Sequence, residues 1–156
     1  MTPTMRLVFT VALIAAWVGA AVLVAASVAP AAFAVLPTRT MAGNVVGRVL
    51  PVIFMTGSLV GLAAAWLASA GPGGKVRAGL GVAVAAACAI AQFVIGPRIA
   101  RLRDQIGGAI DSLPVDDVQR VAFGRLHGIS VLWMGVAVLA ASVLLVLTML
   151  ALRPRS

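Results

Sequence analysis

The sequence contains no tyrosine and no glutamate, and it has one histidine, one cysteine and four aspartates. These shortages exclude a good deal of chemistry. A lone Cys88 has no intrachain disulfide partner, and its setting in "AVAAACAIAQ" reads as a small packing residue in an apolar run. Zinc needs three or four ligands, and no cysteine, glutamate or second histidine stands near His127. A haem held by that histidine would need a second ligand, and Met55 and Met134 read as ordinary apolar fillers. General-base work needs an oriented partner for the histidine, yet all four aspartates fall in one polar segment. No phosphate loop, nucleophile elbow or metal motif occurs. The residues therefore predict no enzyme, no metal site and no cofactor.

Charge is scarce too. Only 10% of residues are charged, against about 25% in ordinary globular chains. The twelve Lys and Arg leave a formal charge of +8. Aromatics make up only 5%, and the basic residues cluster at the ends of apolar runs, where they meet lipid headgroups. Nucleic acid is not an expected partner.

What is abundant is apolar. The apolar share is 62% of 156 residues, which a single soluble domain would have to leave largely exposed, so the class is integral membrane protein. Four runs, about 7–29, 49–70, 78–97 and 129–152, reach the ~20 residues that cross a bilayer. The first exceeds the ~7–15 residues of a signal-peptide core and reads as a retained helix. Pro30 and Pro37 mark the expected end of the first helix, and Pro51 lies near the expected start of the second. "SAGPGGK" at 69–75 is a tight turn that makes the second and third helices antiparallel neighbours, with Lys75 and Arg77 anchoring the third.

The segment 98–128 is polar but patterned. Ile95, Ile99, Leu102, Ile106, Ala109 or Ile110, and Leu113 recur at three- and four-residue steps, so the third helix is expected to continue out of the membrane to "SLPVDD". Pro114, Asp116 and Asp117 start the returning helix, with Asp116 and Arg120 spaced as an i,i+4 pair. At ~1.5 Å per residue each arm would stand roughly 20 Å off the bilayer. The fold class is thus all-α, a single four-span membrane bundle over 1–156 carrying an extramembrane helical hairpin. Small residues at four-residue spacing, Gly57 and Gly61, then Ala83, Ala87 and Ala91, then Gly124 and Gly128, are the expected close-packing positions.

Four crossings place the first and third connections on one side. Asn44, Arg48, Gln92, Arg98, Arg125 and His127 therefore gather toward one mouth, as ligand-binding or structural residues. The arginines suit headgroup anchoring, Gln92 an interhelical hydrogen bond, and His127 a bond to a backbone carbonyl or to Gln92 beside Arg48 and Arg98. Counting Lys and Arg gives seven on the hairpin side and five on the other, which favours a cytoplasmic hairpin.

"WVG" at 17–19, "APAAF" at 29–33, "LP" at 36–37, "AGNVVGRVLP" at 42–51, "GPRIARLRD" at 96–104 and "FGRLHGISV" at 123–131 follow one another along nearly the whole chain. This ordered set resembles the transmembrane-protein-205-like family of small four-helix membrane proteins. The resemblance carries motif positions at Trp17, Pro30, Phe33, Gly47, Arg48, Pro51, Pro97, Arg98, Arg125 and His127. It implies a bacterial inner-membrane protein with no assigned activity. A relative is linked to resistance to drugs and metal compounds. Two further families with a similar first helix, one linked to copper resistance and one a haem-binding oxidase, carry a histidine a turn or two before the Trp-x-Gly. Here "LVFTVALIAAW" has none, a departure from their metal chemistry. Two functional readings follow. One is a structural or accessory subunit of a larger membrane complex, or a homo-oligomer. The other is a handler of a small anionic, lipid or metal-complex ligand at the basic mouth.

Overall fold

A computed structural model describes residues 1–107 and 110–153. Four long helices follow one another: α1 over Pro3–Val35, α2 over Arg39–Ala68, α3 over Gly74–Ile106 and α4 over Val118–Ala151. No strand occurs among the described residues, and each helix is long and apolar enough to cross a membrane. The chain is a multi-pass helical membrane protein. Short connections force an up–down–up–down order: α2 packs on α1 and α3, and α4 closes the ring against both.

The helices outrun the apolar runs. Pro30 does not end α1, Pro51 lies well inside α2, and Pro97 is continuous with α3. The reason is local at two of the three. A π-helical turn at Val24–Val28 precedes Pro30, with the Ala29 amide bonded to the Val24 carbonyl five residues back. Another at Ile90–Ile95 precedes Pro97, with Gly96 bonded to Ala91. Widening the turn moves the carbonyl that the pyrrolidine ring would strike, so the helix continues through the proline. The first connection is consequently only the Leu36, Pro37 and Thr38 turn, and Thr38 caps α2 by accepting from the Met41 amide at 3.1 Å.

Glycine sets the closest crossing in the bundle. A Cβ on Gly61 would lie 2.6 Å from the Ala85 nitrogen, and one on Gly81 would lie 2.6 Å from the Ala65 nitrogen. Here α2 and α3 meet backbone to backbone, the contact that substitutes for a hydrophobic drive in lipid. At Gly57 the missing Cβ makes room for the indole edge of Trp17 and for the Cys88 sulfur. Trp17 spends its one polar atom on the Ile53 carbonyl at 3.0 Å, so a large buried ring leaves no orphan donor. Ala87 and Ala91 are buried as expected, but Ala83 is exposed. Gly124 and Gly128 are not packing positions either: nothing lies within 4 Å of a Cβ placed on either. Both are exposed, on the side of α4 that faces away from its neighbours.

At the turn end, Gly71 and Gly73 take positive φ and fold the chain from α2 into α3. Arg77 is not a membrane anchor. It is only 4% exposed and turns inward, donating to the carbonyls of Ala68 (3.2 Å), Pro72 (3.0 Å) and Ala70 (2.8 Å). Arg6 reaches the same helix end from α1, donating to the Trp66 carbonyl and to Ser69 Oγ while its guanidinium covers the Trp66 ring. Two arginines from flanking helices therefore satisfy the carbonyls that α2 leaves open at its C-terminus.

The hairpin is shorter than its periodicity predicts. Gly107, in the left-handed region, ends α3 at Ile106, and a 3-10 turn at Ile110–Ser112 replaces the expected last helical turns. Ala109, the alternative to Ile110 in that pattern, lies outside the described residues. Eight residues past Arg98 reach only about 12 Å, not 20. Asp117 starts α4, accepting from the amides of Gln119 (2.8 Å) and Arg120 (3.3 Å). The expected Asp116–Arg120 pair gives way to a better partner: Arg120 donates to the Leu113 carbonyl at 2.6 Å.

Candidate functional site

The polar residues collect at the hairpin end, and what organises them is Arg103. Its guanidinium lies in a trough on α2 made by two missing side chains, since a Cβ on Gly43 or Gly47 would come within 3.3 or 3.1 Å of it. From there it donates to the Asn44 side-chain oxygen (3.4 Å) and the Gly43 carbonyl (3.3 Å), and it covers the Phe123 ring of α4 at 5.3 Å. One side chain of α3 thus joins three helices. Asp111 adds a second tie, accepting from the Thr40 amide (3.0 Å) and hydroxyl (3.2 Å) at the N-terminus of α2. A carboxylate there also meets the positive end of the helix dipole.

These ties dispose of two of the four aspartates. Asp111 and Asp117 serve as caps on helix starts, while Asp104 and Asp116 are exposed. Among the described residues no group of three His, Cys, Asp or Glu side chains is placed to hold a metal ion.

The six mouth residues share one end of the bundle but do not converge. Asn44 alone joins a cluster, through Arg103. Arg48, Arg98, Arg125 and His127 are exposed, and Gln92 is half-buried in the widened turn of α3. His127 makes no hydrogen bond among the described residues; the expected bond to Gln92 or a carbonyl is not formed, and its ring instead lies parallel to Phe123, one turn away, at 6.3 Å. Of the motif positions, Trp17 is a core residue, Gly47 forms the Arg103 trough, Pro30 and Pro97 follow widened turns, and Pro51 is half-buried within α2. Phe33 is 49% exposed on the outside of α1. The sequence gives Arg103 no distinction among neighbouring arginines. The signal lies in Gly43 and Gly47, four residues apart and opposite an aromatic residue of another helix.

Arg103 also carries a testable consequence. Arg103→Gln removes the charge and the ring contact, worth about 1–2 kcal/mol together. Amide exchange over 110–118 is expected to speed up about tenfold, while exchange in the apolar spans stays unchanged. Unchanged exchange over 110–118 would show that the hairpin is held by other means.

The helices carry a stretch of bilayer thickness. Twenty-one residues separate Arg77 from Arg98 on α3 and, equally, Arg48 from Ser69 on α2. At ~1.5 Å per residue this is roughly 31 Å, the thickness of a hydrocarbon core. Between those levels the interior is filled by Ile14, Trp17, Phe54, Val84, Cys88 and Leu144. The two hollows of note are shallow and lie outside the bundle. One of about 500 Å³ runs along Asp116, Val118, Val121, Ala122, Arg125 and Leu126, and one of about 240 Å³ lies by Ser142, Val143, Val146 and Leu147.

No curated protein and no solved structure matches the chain. A family model described as a domain of unknown function, DUF4149, matches residues 12–107, which takes in most of α1, all of α2 and α3, and the Trp17, Gly47 and Arg103 positions that join them. With more than half its length under that model, the chain belongs to the DUF4149 family.

Proposed function

We propose that this chain is a structural or accessory subunit of a larger membrane complex, of the transmembrane-protein-205-like type and resident in a bacterial inner membrane. It is not an enzyme on this reading and carries no cofactor. The supporting observation is the filled interior. Trp17, Gly57, Gly61, Gly81 and Cys88 close the space between the helices, and the hollows lie on the outer face of α4. A transporter or channel needs a polar route near the midplane. Here the charged side chains are drawn to the two ends and the mid-span hydroxyls of Thr56, Ser58 and Ser142 donate to helix carbonyls, so the surfaces available for function are the outside of the bundle and the docked hairpin.

The competing reading, a single small ligand enclosed and handled at the basic mouth, requires arginines that converge on one point. Arg48, Arg98 and Arg125 are instead exposed on three different helices. Cross-linking in native membranes followed by extraction in mild detergent tests the choice. The expected result is a second polypeptide in fixed stoichiometry with this chain. Particles that contain this chain alone would refute the accessory role.

A further inference from the structure

Cations at the two membrane levels are used differently. At the turn end, Arg6 and Arg77 are committed to protein carbonyls, which leaves Lys75 on α3 and Arg153 beyond α4 exposed. At the hairpin end, Arg103 and Arg120 are likewise committed, but Arg48, Arg98, Arg101 and Arg125 are exposed and have no hydrogen-bond or ion-pair partner among the described residues. Their depths agree closely. Arg103 touches the Gly47 position on α2 and the Phe123 ring on α4, which sets a common level on three helices. Counting toward the membrane from that level, Arg48 is one residue deeper, Arg101 and Arg125 are two deeper and Arg98 is five deeper. At ~1.5 Å per residue, four arginines from three helices fall within a band of about 6 Å. That is the thickness of one headgroup layer, given a core of ~30 Å within a bilayer of ~40–45 Å.

We infer that this band is a binding belt for anionic phospholipid, with the phosphates of the hairpin-side leaflet held by Arg48, Arg98, Arg101 and Arg125. Three features make the belt selective rather than merely anchoring. The guanidiniums have no carboxylate partner among the described residues, although Asp104, Asp111, Asp116 and Asp117 all lie at that end, together with Arg39, Arg103 and Arg120. Guanidinium binds phosphate oxygens in a planar, bidentate fork, and four unpaired positive charges favour a headgroup of net negative charge over a zwitterion. The belt also sits on a rigid platform, because Arg103 and Asp111 lock the hairpin to α2. This inference is independent of any protein partner and goes beyond the accessory reading.

The test uses the full chain in phosphatidylcholine bilayers, with trace spin-labelled phosphatidylglycerol or phosphatidylcholine of the same acyl chain as probe. The fraction of each label immobilised by protein is the readout. One arginine near the surface is worth about a fivefold preference, so phosphatidylglycerol is expected to be favoured about fivefold at low salt. The preference should fall steadily as salt is raised on the unmodified chain. It should vanish in the combined Arg48→Gln, Arg98→Gln, Arg101→Gln and Arg125→Gln variant and persist in Lys75→Gln. Equal immobilisation of the two labels would overturn the belt, and so would a preference that ignores salt or one lost with Lys75. Inorganic phosphate, compared with chloride at equal ionic strength, separates the sources: specific displacement of the lipid by phosphate would show a free-anion site instead.

Discussion

Gly61→Val is expected to separate α2 from α3 and to lower stability by about 3 kcal/mol or more. The size follows from what the new side chain meets. Even the Cβ would lie 2.6 Å from the Ala85 nitrogen and 2.8 Å from the Gly81 carbonyl oxygen, both of them backbone atoms. A flexible side chain swings aside; a backbone moves only with its helix. Gly81→Val should fail similarly, since it faces the same crossing from α3. Gly124→Val is the control, because nothing lies within 4 Å of that position, and a change of no more than about 1 kcal/mol is expected there. Unfolding midpoints in detergent, followed by helical circular dichroism, compare the three. Equal midpoints for Gly61→Val and Gly124→Val would mean that α2 and α3 do not cross as described.

The second large effect belongs to Arg77. Arg77→Met keeps the stem and removes the donors that serve Ala68, Ala70 and Pro72. Hydrogen bonds to a charged group are worth about 1.5–3 kcal/mol each, less where water can replace them, as it can at a membrane boundary. A loss of about 3 kcal/mol is expected, with the damage confined to the turn between α2 and α3. Arg77→Lys keeps the charge but not the planar fork, so it should recover only part of that loss. The check is the same melt, supplemented by protease sensitivity at 70–74. Full recovery by lysine would reduce Arg77 to a charge at a helix end and remove the fork from the account.

The four crossings were legible because lipid constrains composition: a span has to be apolar for ~20 residues, and these runs are. Helix ends were less legible. Proline at 30 and 97 carries the same sequence signal whether it stops a helix or follows a widened turn, and the widening at Val24–Val28 and Ile90–Ile95 has no residue signature of its own. At 107 the error ran the other way, since Ile106, Ile110 and Leu113 kept helical spacing through a glycine that in fact ends α3. In the candidate site, the end of the bundle that holds it was readable from topology alone. The partnership of Arg103 with Gly43, Gly47 and Phe123 was not, because it joins positions far apart in sequence by a cation and an absence of side chains. The same gap explains Arg77, whose inward turn depends on open carbonyls at the end of another helix.

Beyond the arginine belt, α1 differs from its neighbours. Between Arg6 and Arg39 it carries no charge, and Phe33 and Val35 remain 49% and 80% exposed near its far end. From Leu7 to Val35 its apolar length is roughly 42 Å, about 11 Å more than the hydrocarbon core that α2 and α3 define. Such hydrophobic mismatch is relieved by tilting the bundle or by thickening the lipid beside the long helix. The chain is therefore asymmetric toward its surroundings: it meets an ordinary bilayer along α2 and α3 and demands a thicker one along α1. A membrane that supplies extra thickness on one flank, through ordered acyl chains or an adjoining apolar helix, would settle this protein in a preferred rotation about its own axis.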